Sequence, residues 1–491
     1  MNLLQQELTE WRTPLAAAKG QFRFLVGAYA LAAVVYIIYA TLLSPAFGLS
    51  AGDEVEYYLL AKNLAEGKGL TYDGMEPTSF RPPLFPGFLA AVYTIFGSSY
   101  LAGRIAVALV GASLSVIIFW ATMIFVGDTR CARIGALLAI VYYPFIKSSG
   151  LLMSDVPFMA LALLFLCVFG LMLRSRERTI VPPIAGGMLL GLCLLCRPTV
   201  LLLPFWLLLL LGCVRNRKLF LRNLTIVVLF AGLTILPWTA RNFFVHRQFV
   251  PVSTQGGYAF WQCHNELPPD GTIGTNPTIL GNIRQVIPPL LERVRKGERA
   301  ETVFQEILSW RGKAYINWLG KEGADLQEEF RGLSEVETDR LLFAKALSSI
   351  KNRPERFIRR FLKTSLKFWD PYSDPALGTS VRQYNLAYGC VLPLAFLGLA
   401  HLYRQRRLPY ILLVFMLNFN FLVAVFYYEE RYRLPAEACL LIFAAVGVVK
   451  LAGLRRMTCV VVLFIVIAFN ALVAVCGGGI AVALRDFIRS L

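Results

Sequence analysis

Two adjacent carboxylates, Asp53 and Glu54, follow an apolar stretch that is long enough to cross a bilayer. Ionised side chains beside hydrocarbon are costly, so acids at such a place usually have a function or a charged partner. One carboxylate can remove a proton from a nucleophile as a general base while its neighbour orients a substrate or binds a divalent cation. The pair is therefore a candidate reaction centre.

A third acid, Asp155, opens a later apolar stretch. Ser154 and Pro157 mark the start of a helix there, so Asp155 has the alternative role of complementing the helix dipole. Because the short side chain of an acid cannot reach far toward water, we favour a functional role for both Asp53 and Asp155. These two acids are also the candidate ligands for Mg²⁺ or Mn²⁺, although basic side chains alone would also neutralise a phosphate.

Basic side chains suited to phosphate binding occur in segments near these acids. Guanidinium and ammonium groups form strong, charge-assisted hydrogen bonds with phosphate oxygens. The candidates are Arg81, Lys147, Arg431 and Arg433. Lys and Arg at the ends of apolar helices also anchor the helices at the interface, and this is the competing interpretation for Lys147 and Arg104.

The composition indicates a membrane protein. Of 491 residues, 57% are hydrophobic and 16% are charged, which is too apolar for an ordinary soluble domain. The net charge of +18 would suit nucleic acid, but the Lys and Arg residues form short clusters between apolar runs. Such clusters are typical of cytoplasmic loops, so no nucleic-acid partner is expected.

The apolar runs predict an all-α integral membrane protein with about eleven transmembrane helices, since a bilayer core needs roughly 20 apolar residues per helix. The candidate spans are 24–43, 105–126, 134–146, 156–173, 180–195, 199–214, 224–238, 386–402, 408–427, 434–449 and 458–475. The basic loops 128–133, 174–178, 215–222, 404–407 and 455–456 then all lie on the cytoplasmic side. This agreement supports the predicted topology.

The same topology divides the chain into three parts. Residues 1–238 form an N-terminal transmembrane module, and its first outer loop, 44–104, carries the candidate catalytic pair Asp53 and Glu54. Residues 239–385 form a modest helical outer loop. Residues 386–491 form the C-terminal spans. The short apolar run 83–96 is placed at the outer interface. The segment 353–369 has helical amphipathicity, which suits either the membrane surface or packing on its own loop.

The outer face thereby gathers charged residues at one level. They are Asp53, Glu54, Glu56, Arg81, Lys147, Asp155, Glu429, Glu430, Arg431 and Arg433. Carboxylates here can activate a nucleophile, and the neighbouring cationic side chains can hold a phosphate. This combination suits the transfer of a group from a phosphorylated carrier.

Several blocks of the sequence carry a family resemblance. They are GDEVEYYLLAKNLAEGKGLTYDG, SFRPPLFPGFLAAVYTIFG, SGLLMSDVPFMALALL, LPWTARNFFVHRQFVPVSTQGGYAFWQCHN and YYEERYRLPAEACL. In this order they resemble the GT-C membrane glycosyltransferases, and most of all the bacterial members similar to protein O-mannosyltransferases and lipid A aminoarabinose transferases. The resemblance implies a GT-C fold in the bacterial inner membrane, with the active site facing the periplasm or exterior.

The resemblance also implies a reaction. A sugar would pass, with inversion at its anomeric carbon, from a polyprenyl-phosphate donor to a lipid-linked saccharide, lipid A or another envelope glycan. Asp53, Glu54 and Asp155 would be the catalytic acids. Arg81 would hold the carrier phosphate, with Lys147, Arg431 and Arg433 as further phosphate-binding residues. The candidates for substrate binding are Tyr57, Gln255 and His264.

Two other functions remain open at this point. A secondary transporter would carry acids near the middle of the membrane and paired interrupted helices in its two halves, whereas the acids here stand at span ends. An oligosaccharide ligase or polymerase that uses a diphosphate-linked glycan would share the predicted topology.

Overall fold

A computed structural model describes residues 19–44, 53–174, 179–214, 216–264, 329–330, 332–372 and 384–453. Within these ranges the regular elements are helices, and extended pairing is limited to isolated bridge residues: Thr71 pairs with Pro77, and Tyr372 and Tyr384 are further bridge residues. The predicted all-α fold is confirmed.

Sixteen α-helices matter for the description, and we number them in chain order. They are α1 Phe22–Ile38, α2 Asp53–Ala65, α3 Leu84–Phe96, α4 Tyr100–Phe125, α5 Thr129–Val141, α6 Tyr143–Ser149, α7 Asp155–Arg174, α8 Val181–Cys196, α9 Leu203–Leu207, α10 Arg217–His246, α11 Gly256–His264, α12 Glu335–Asn352, α13 Pro354–Lys367, α14 Leu386–Arg404, α15 Tyr410–Val425 and α16 Glu430–Ala452. A π-helical turn, Tyr39–Leu43, continues α1.

Six of the described helices are long and apolar enough to cross a membrane: α1 with its π-helical turn, α4, α7, α10, α14 and α16. The pair α5 and α6, bent by 53°, makes a seventh if it is one broken span. The predicted spans from 24–43 to 434–449 coincide with helical residues: 134–146 matches the pair α5 and α6, and 199–214 matches α9 with the 3-10 segments Pro198–Val200 and Leu208–Gly212 on either side of it. The predicted span 458–475 lies outside the described residues. The chain is a multi-pass membrane protein, and the predicted number of about eleven spans is not established.

The segment after α1 forms a short helix, α2, that is too polar to span a membrane. Its first turn contains Asp53, Glu54 and Glu56, and acids are favourable there because they face the positive end of the helix dipole. After α2 the chain reverses through Gly67, Gly69 and Gly74, each with a positive φ between 75° and 83° that favours glycine. This turn brings the segment that contains Arg81 back toward the start of α2.

The predicted interfacial run 83–96 forms the helix α3. Phe85, Leu89 and Tyr93 bury one face of α3 against the core, whereas Ile95 and Phe96 are exposed at its end. A helix of 13 residues is too short to cross a bilayer core. Its location at the interface stays a prediction.

Helices α14 and α16 approach each other through their backbones. A Cβ added to Gly398 of α14 would lie 1.9 Å from the carbonyl oxygen of Phe443, and one added to Gly447 of α16 would lie 2.2 Å from that of Leu394. Small residues allow this approach between membrane helices, where close packing replaces the hydrophobic driving force. The contact fixes α16, which carries part of the site described below.

The chain divides into two compact units. One contains Met1–Val252, Leu362–Pro371 and Tyr384–Leu491, and the other contains Ser253–Phe361 and Tyr372–Gln383. In the second unit, Asp339 of α12 accepts a hydrogen bond of 2.6 Å from the backbone N–H of Gly257 in α11. The second unit is thus smaller than the predicted outer loop 239–385.

Helix α13, which covers most of the predicted amphipathic segment 353–369, has no buried residue. Ile358, Leu362 and Leu366 recur at a spacing of four residues and are exposed along one face. An exposed apolar stripe suits a membrane surface, and this location remains a prediction.

Candidate active site

Asp53, the first residue of α2, lies between two arginines from distant parts of the chain. Its Oδ1 is 3.0 Å from Nη2 of Arg81, and its Oδ2 accepts a hydrogen bond of 3.1 Å from Nη2 of Arg431. The side chain of Asp53 is 23% exposed and that of Arg431 is 21% exposed. The cluster is therefore accessible to a ligand, and the structure brings together three of the residues predicted from the sequence.

Arg81 is held by two acids of α2. Its Nε and Nη2 donate hydrogen bonds of 2.9 and 2.7 Å to the same oxygen, Oε2, of Glu56. The guanidinium carbon also lies 5.3 Å from the ring centre of Tyr57. Burial alone would lower the pKa of Arg81, but Asp53 and Glu56 raise that pKa well above its ordinary value. Arg81 is thus a fixed positive charge beside Asp53.

Arg431, in the first turn of α16, has a second acid partner in Glu429, with which it forms an ion pair. Burial raises the pKa of Glu429, and the positive charge of Arg431 opposes that rise. Arg431 also lies 5.3 Å from the ring centre of Tyr432. The guanidinium group therefore has acids on two sides and an aromatic face on a third.

Asp155 opens α7 and pairs through Oδ1 with Arg197, which follows the last residue of α8. Oδ2 of Asp155 is buried and has no hydrogen-bond partner among the described residues. Arg197 in turn lies 5.0 Å from the ring centre of Tyr432. Tyr432 thus stands beside both Arg197 and Arg431, which connects the second predicted acid to the Asp53 cluster.

Arg197, Tyr432, Glu56 and Glu429 belong to this arrangement but are absent from the predicted site residues. Glu56 and Glu429 stand among the outer-face charges in the sequence, with no role assigned to them. The sequence offers one sign that Arg197 could belong to the site: it is a basic residue directly before Pro198, at the end of an apolar run. Nothing in the sequence indicates that it pairs with Asp155.

The structure does not bring Glu54 into the same cluster as Asp53. Glu54 is 0% exposed, and its Oε1 accepts a hydrogen bond of 2.8 Å from the backbone N–H of Leu152 and lies 3.4 Å from Nη2 of Arg104. Successive residues of an α-helix point about 100° apart, so neighbours face different surroundings. The alternative of Arg104 as an interfacial anchor is also wrong, because Arg104 is buried beside Glu54.

Arg433 does not fit its predicted role in phosphate binding. It is 1% exposed, its Nε donates a hydrogen bond of 2.6 Å to Glu437, and its Nη1 donates to the carbonyl oxygens of Phe368 and Asp370. The guanidinium carbon stacks 3.6 Å from the ring centre of Tyr388. Arg433 follows Arg431 by two residues, so its side chain points to a different side of α16. There it links α16 to the backbone of Phe368 and Asp370.

The remaining candidates have other surroundings. Lys147 is exposed on α6, and no ion pair joins it to the cluster within the described ranges. Tyr57 is buried, and its hydroxyl lies 3.0 Å from Oγ of Ser154, so it joins α2 to the start of α7. Gln255 and His264 belong to the second unit. The His264 ring is buried against Phe260, at 4.6 Å between ring centres.

The carboxylates named as metal ligands are already engaged by guanidinium groups. Both oxygens of Asp53 face arginines, and one oxygen of Asp155 does. Among the described residues, no group of three or more His, Cys, Asp or Glu side chains is arranged to hold a metal ion. These surroundings do not fit Mg²⁺ or Mn²⁺ at Asp53, and no step of the reaction below uses a metal.

One family model and several solved structures are similar to this chain. Residues 80–240 match the family model of dolichyl-phosphate-mannose-protein mannosyltransferases. No curated protein matches the chain. Among solved structures, the chain is similar to the archaeal oligosaccharyltransferase AglB from Archaeoglobus fulgidus, in complex with an inhibitory peptide and a dolichol-phosphate, at 15% identity and a TM-score of 0.49. That likeness covers 92% of this chain and 54% of AglB, so the chain spans about half the length of AglB.

A second solved structure is ArnT from Cupriavidus metallidurans bound to undecaprenyl phosphate, with 16% identity and a TM-score of 0.38 over 87% of this chain and 78% of ArnT. The matched family segment, 80–240, includes Arg81, Asp155 and Arg197 of the site. The family match confirms the resemblance predicted from the sequence: the chain is similar to the GT-C membrane glycosyltransferases.

Proposed function

We propose that the protein is an inverting glycosyltransferase that moves a sugar from a polyprenyl-phosphate donor to a glycan or glycolipid acceptor at the non-cytoplasmic face of the membrane. One observation carries this proposal, namely the partly exposed Asp53 carboxylate with a guanidinium group on each oxygen. The family match over residues 80–240 supports the class of reaction. The named ligands of AglB and ArnT, dolichol-phosphate and undecaprenyl phosphate, suggest the kind of donor.

Arg431 is the residue best suited to bind the donor phosphate. It is more exposed than Arg81, and a guanidinium group matches phosphate oxygens with parallel hydrogen bonds. Without a donor, Asp53 and Glu429 neutralise Arg431. A donor phosphate competes with Asp53 for Arg431, while Arg81 remains fixed by Glu56.

This competition would couple donor binding to catalysis. A carboxylate that contacts two guanidinium groups is a weak base, because the positive charges favour its ionised form. When the phosphate takes Arg431, Asp53 loses one of these charges and becomes more basic. Asp53 is then a stronger base with the donor bound than without it. This difference limits proton removal from the acceptor when no donor is present.

The chemical step is a single displacement. The acceptor hydroxyl oxygen forms a bond to the anomeric carbon from the side opposite the phosphate, and its proton passes to Asp53. The bond between the anomeric carbon and the phosphate oxygen breaks, and the electron pair leaves with the polyprenyl phosphate. Arg431 stabilises the charge that develops on this leaving group.

Asp155 has a positioning role in this proposal. It is buried and pairs with Arg197, so it is a poor base for a bound acceptor. The pair orients Arg197 against the ring of Tyr432, which also supports Arg431. Exchange of Asp155 for Asn would therefore act through Arg197.

The test is transfer by purified protein in vesicles that contain one polyprenyl-phosphate sugar at a time together with an extract of envelope lipids. We expect mass spectrometry to detect a lipid or glycan that gains one sugar, together with free polyprenyl phosphate. Empty vesicles and vesicles with the Asp53→Asn variant are the controls. Ion-driven uptake of a solute, with no sugar transfer from any donor, would identify a transporter and overturn the proposal.

A further inference from the structure

The last two turns of α10 contact a buried serine in the loop between α2 and α3. The hydroxyl of this residue, Ser79, donates a hydrogen bond of 2.8 Å to Oδ1 of Asn242, and both residues are 0% exposed. Nη1 of Arg241 donates to the same hydroxyl oxygen at 2.9 Å, and Nε2 of His246 lies 2.8 Å from it. Three side chains of one helix therefore converge on Ser79.

These contacts match the hydrogen-bonding capacity of a hydroxyl group, which has one proton to donate and two lone pairs to accept with. Because the proton of Ser79 goes to Asn242, both Arg241 and His246 are donors, and Nε2 of His246 carries a hydrogen. Exchange of Ser79 for Ala would remove the shared partner of all three side chains. Loss of one partner is costly where the remaining polar groups are buried.

Asn242 is itself held in one orientation. Its Nδ2 donates a hydrogen bond of 3.1 Å to the carbonyl oxygen of Val250, so its Oδ1 faces Ser79. One helical turn earlier, Nε1 of Trp238 donates a hydrogen bond of 2.6 Å to the carbonyl oxygen of Val252. The end of α10 is thus tied to the segment that follows it and offers Ser79 a fixed support.

The support lies close to the proposed reaction centre along the chain. Ser79 precedes Arg81 by two residues, which span at most about 7 Å of extended chain. Arg241 also donates a hydrogen bond of 3.0 Å to the carbonyl oxygen of Thr78. Glu56 fixes the guanidinium end of Arg81, and the contacts of Ser79 fix the backbone beside it. A shift of Ser79 therefore moves Arg81 relative to its acid partners.

We infer that Ser79 and Asn242 are positioning residues that keep the charge of Arg81 in place for the donor phosphate. This inference rests on the proposed function. Both residues act through Arg81 and take no part in the proton transfer to Asp53. Their loss should weaken donor binding and leave the chemical step nearly unchanged.

The first measurement is hydrogen–deuterium exchange of the backbone amides of residues 78–81 in the purified protein. Ser79→Ala should raise exchange there about tenfold or more, because the loop loses its buried contacts and opens more easily. Ser115→Ala is the matched control, since it removes another buried hydroxyl, one that bonds to the backbone of its own helix α4. Unchanged exchange in Ser79→Ala would overturn the inference, whether or not the protein transfers a sugar.

The second measurement is the rate of sugar transfer against donor concentration at a saturating acceptor. Ser79→Ala should raise the donor KM about tenfold and change kcat by less than about twofold. In the Arg81→Ala background, the same exchange should raise the donor KM by less than about a further twofold, because Ser79 acts through Arg81. A loss confined to kcat, or a full tenfold effect in both backgrounds, would overturn the inference.

A second variant covers the case in which Ser79→Ala does not fold. His246→Ala removes one contact of Ser79 from a half-buried place at the end of α10, and it should raise the donor KM about threefold with kcat nearly unchanged. A donor KM equal to that of the wild type would then contradict the inference. No transfer by the wild type from any donor would overturn the proposed function and the role in donor binding with it, while the exchange data would still show whether Ser79 holds the loop.

Discussion

Asp53 and Glu54 are neighbours in the chain, but their carboxylates contact different arginines in different surroundings. Asp53 reaches Arg81 and Arg431 at a partly exposed place, whereas Glu54 is fully buried against Arg104. The turn of about 100° per residue in α2 separates them. One acid is accessible for chemistry and the other holds α2 against α4.

Exchange of Asp53 for Asn should lower kcat for sugar transfer by about 10²–10⁴-fold, the usual contribution of a general base. Donor binding should persist, because the change releases Arg431 from its partner. The measurement is single-turnover transfer in vesicles with a saturating donor. Glu66→Gln, a neutralised acid in the exposed segment after α2, is the control and should retain activity. Wild-type turnover by Asp53→Asn would remove the assignment of Asp53.

Exchange of Arg81 for Ala should mainly raise the KM for the polyprenyl-phosphate sugar, by about tenfold, through loss of a charge near the phosphate. The KM for the acceptor should change little. The measurement is initial rate against donor concentration at a saturating acceptor. A change confined to acceptor dependence would show that Arg81 does not serve the phosphate.

Exchange of Glu54 for Gln should destabilise the protein by about 3–5 kcal/mol, because it leaves Arg104 as a buried charge with a weakened partner. The kcat per folded molecule should stay close to that of the wild type. Thermal unfolding in detergent measures the first effect, and active-site-normalised turnover measures the second. A stable Glu54→Gln protein without activity would instead support a catalytic role for Glu54.

The pH dependence of donor affinity should report on Glu429. Burial raises the pKa of Glu429, so on lowering the pH this carboxyl takes up a proton above the usual range of Glu. Arg431 then keeps only Asp53 as an acid partner, and the donor phosphate competes for it more easily. Donor affinity should therefore increase as the pH falls into the mildly acidic range.

The variant Glu429→Gln, measured over the same pH range, should show high affinity throughout and no such increase. The same raised pKa also predicts a stability effect of defined sign. Ionised Glu429 lowers folding stability above its folded-state pKa, and this stability is regained as the pH falls through that value. An unchanged pH profile in Glu429→Gln would contradict the assignment.

Exchange of Gly398 for Ala should force α14 and α16 apart, because the added methyl group would overlap the backbone of Phe443. We expect a destabilisation of about 1–3 kcal/mol, the usual range for overpacking. Gly232→Ala in α10 is the matched control, since its added Cβ meets nothing within 4 Å. Equal thermal midpoints for the two variants would show that the helices separate at no cost.

The sequence was sufficient for the helical membrane fold and for the meeting of Asp53, Arg81 and Arg431. These predictions depend on apolar run lengths and on which charges stand at span ends, and both are local properties of the chain. The separation of Asp53 from Glu54, and of Arg431 from Arg433, depends on the rotation of α2 and α16 against their neighbours. Tertiary packing sets that rotation.

The pairing of Asp155 with Arg197 shows the same limit. The two residues stand 42 positions apart at the ends of different helices, and no spacing rule relates them. Their contact follows from the packing of α8 against α7. A sequence read one segment at a time therefore finds the acid and misses its partner.

The 378 positions between Asp53 and Arg431 have a consequence for biogenesis. During synthesis α2 leaves the ribosome long before α16 is made, so Asp53 at first lacks the guanidinium group of Arg431. A truncated product that ends before α16 would contain Asp53 and Arg81 but lack Arg431, and the proposed reaction predicts that it is inactive. The contact between Asp53 and Arg431 can therefore form only after nearly all of the described chain has been made.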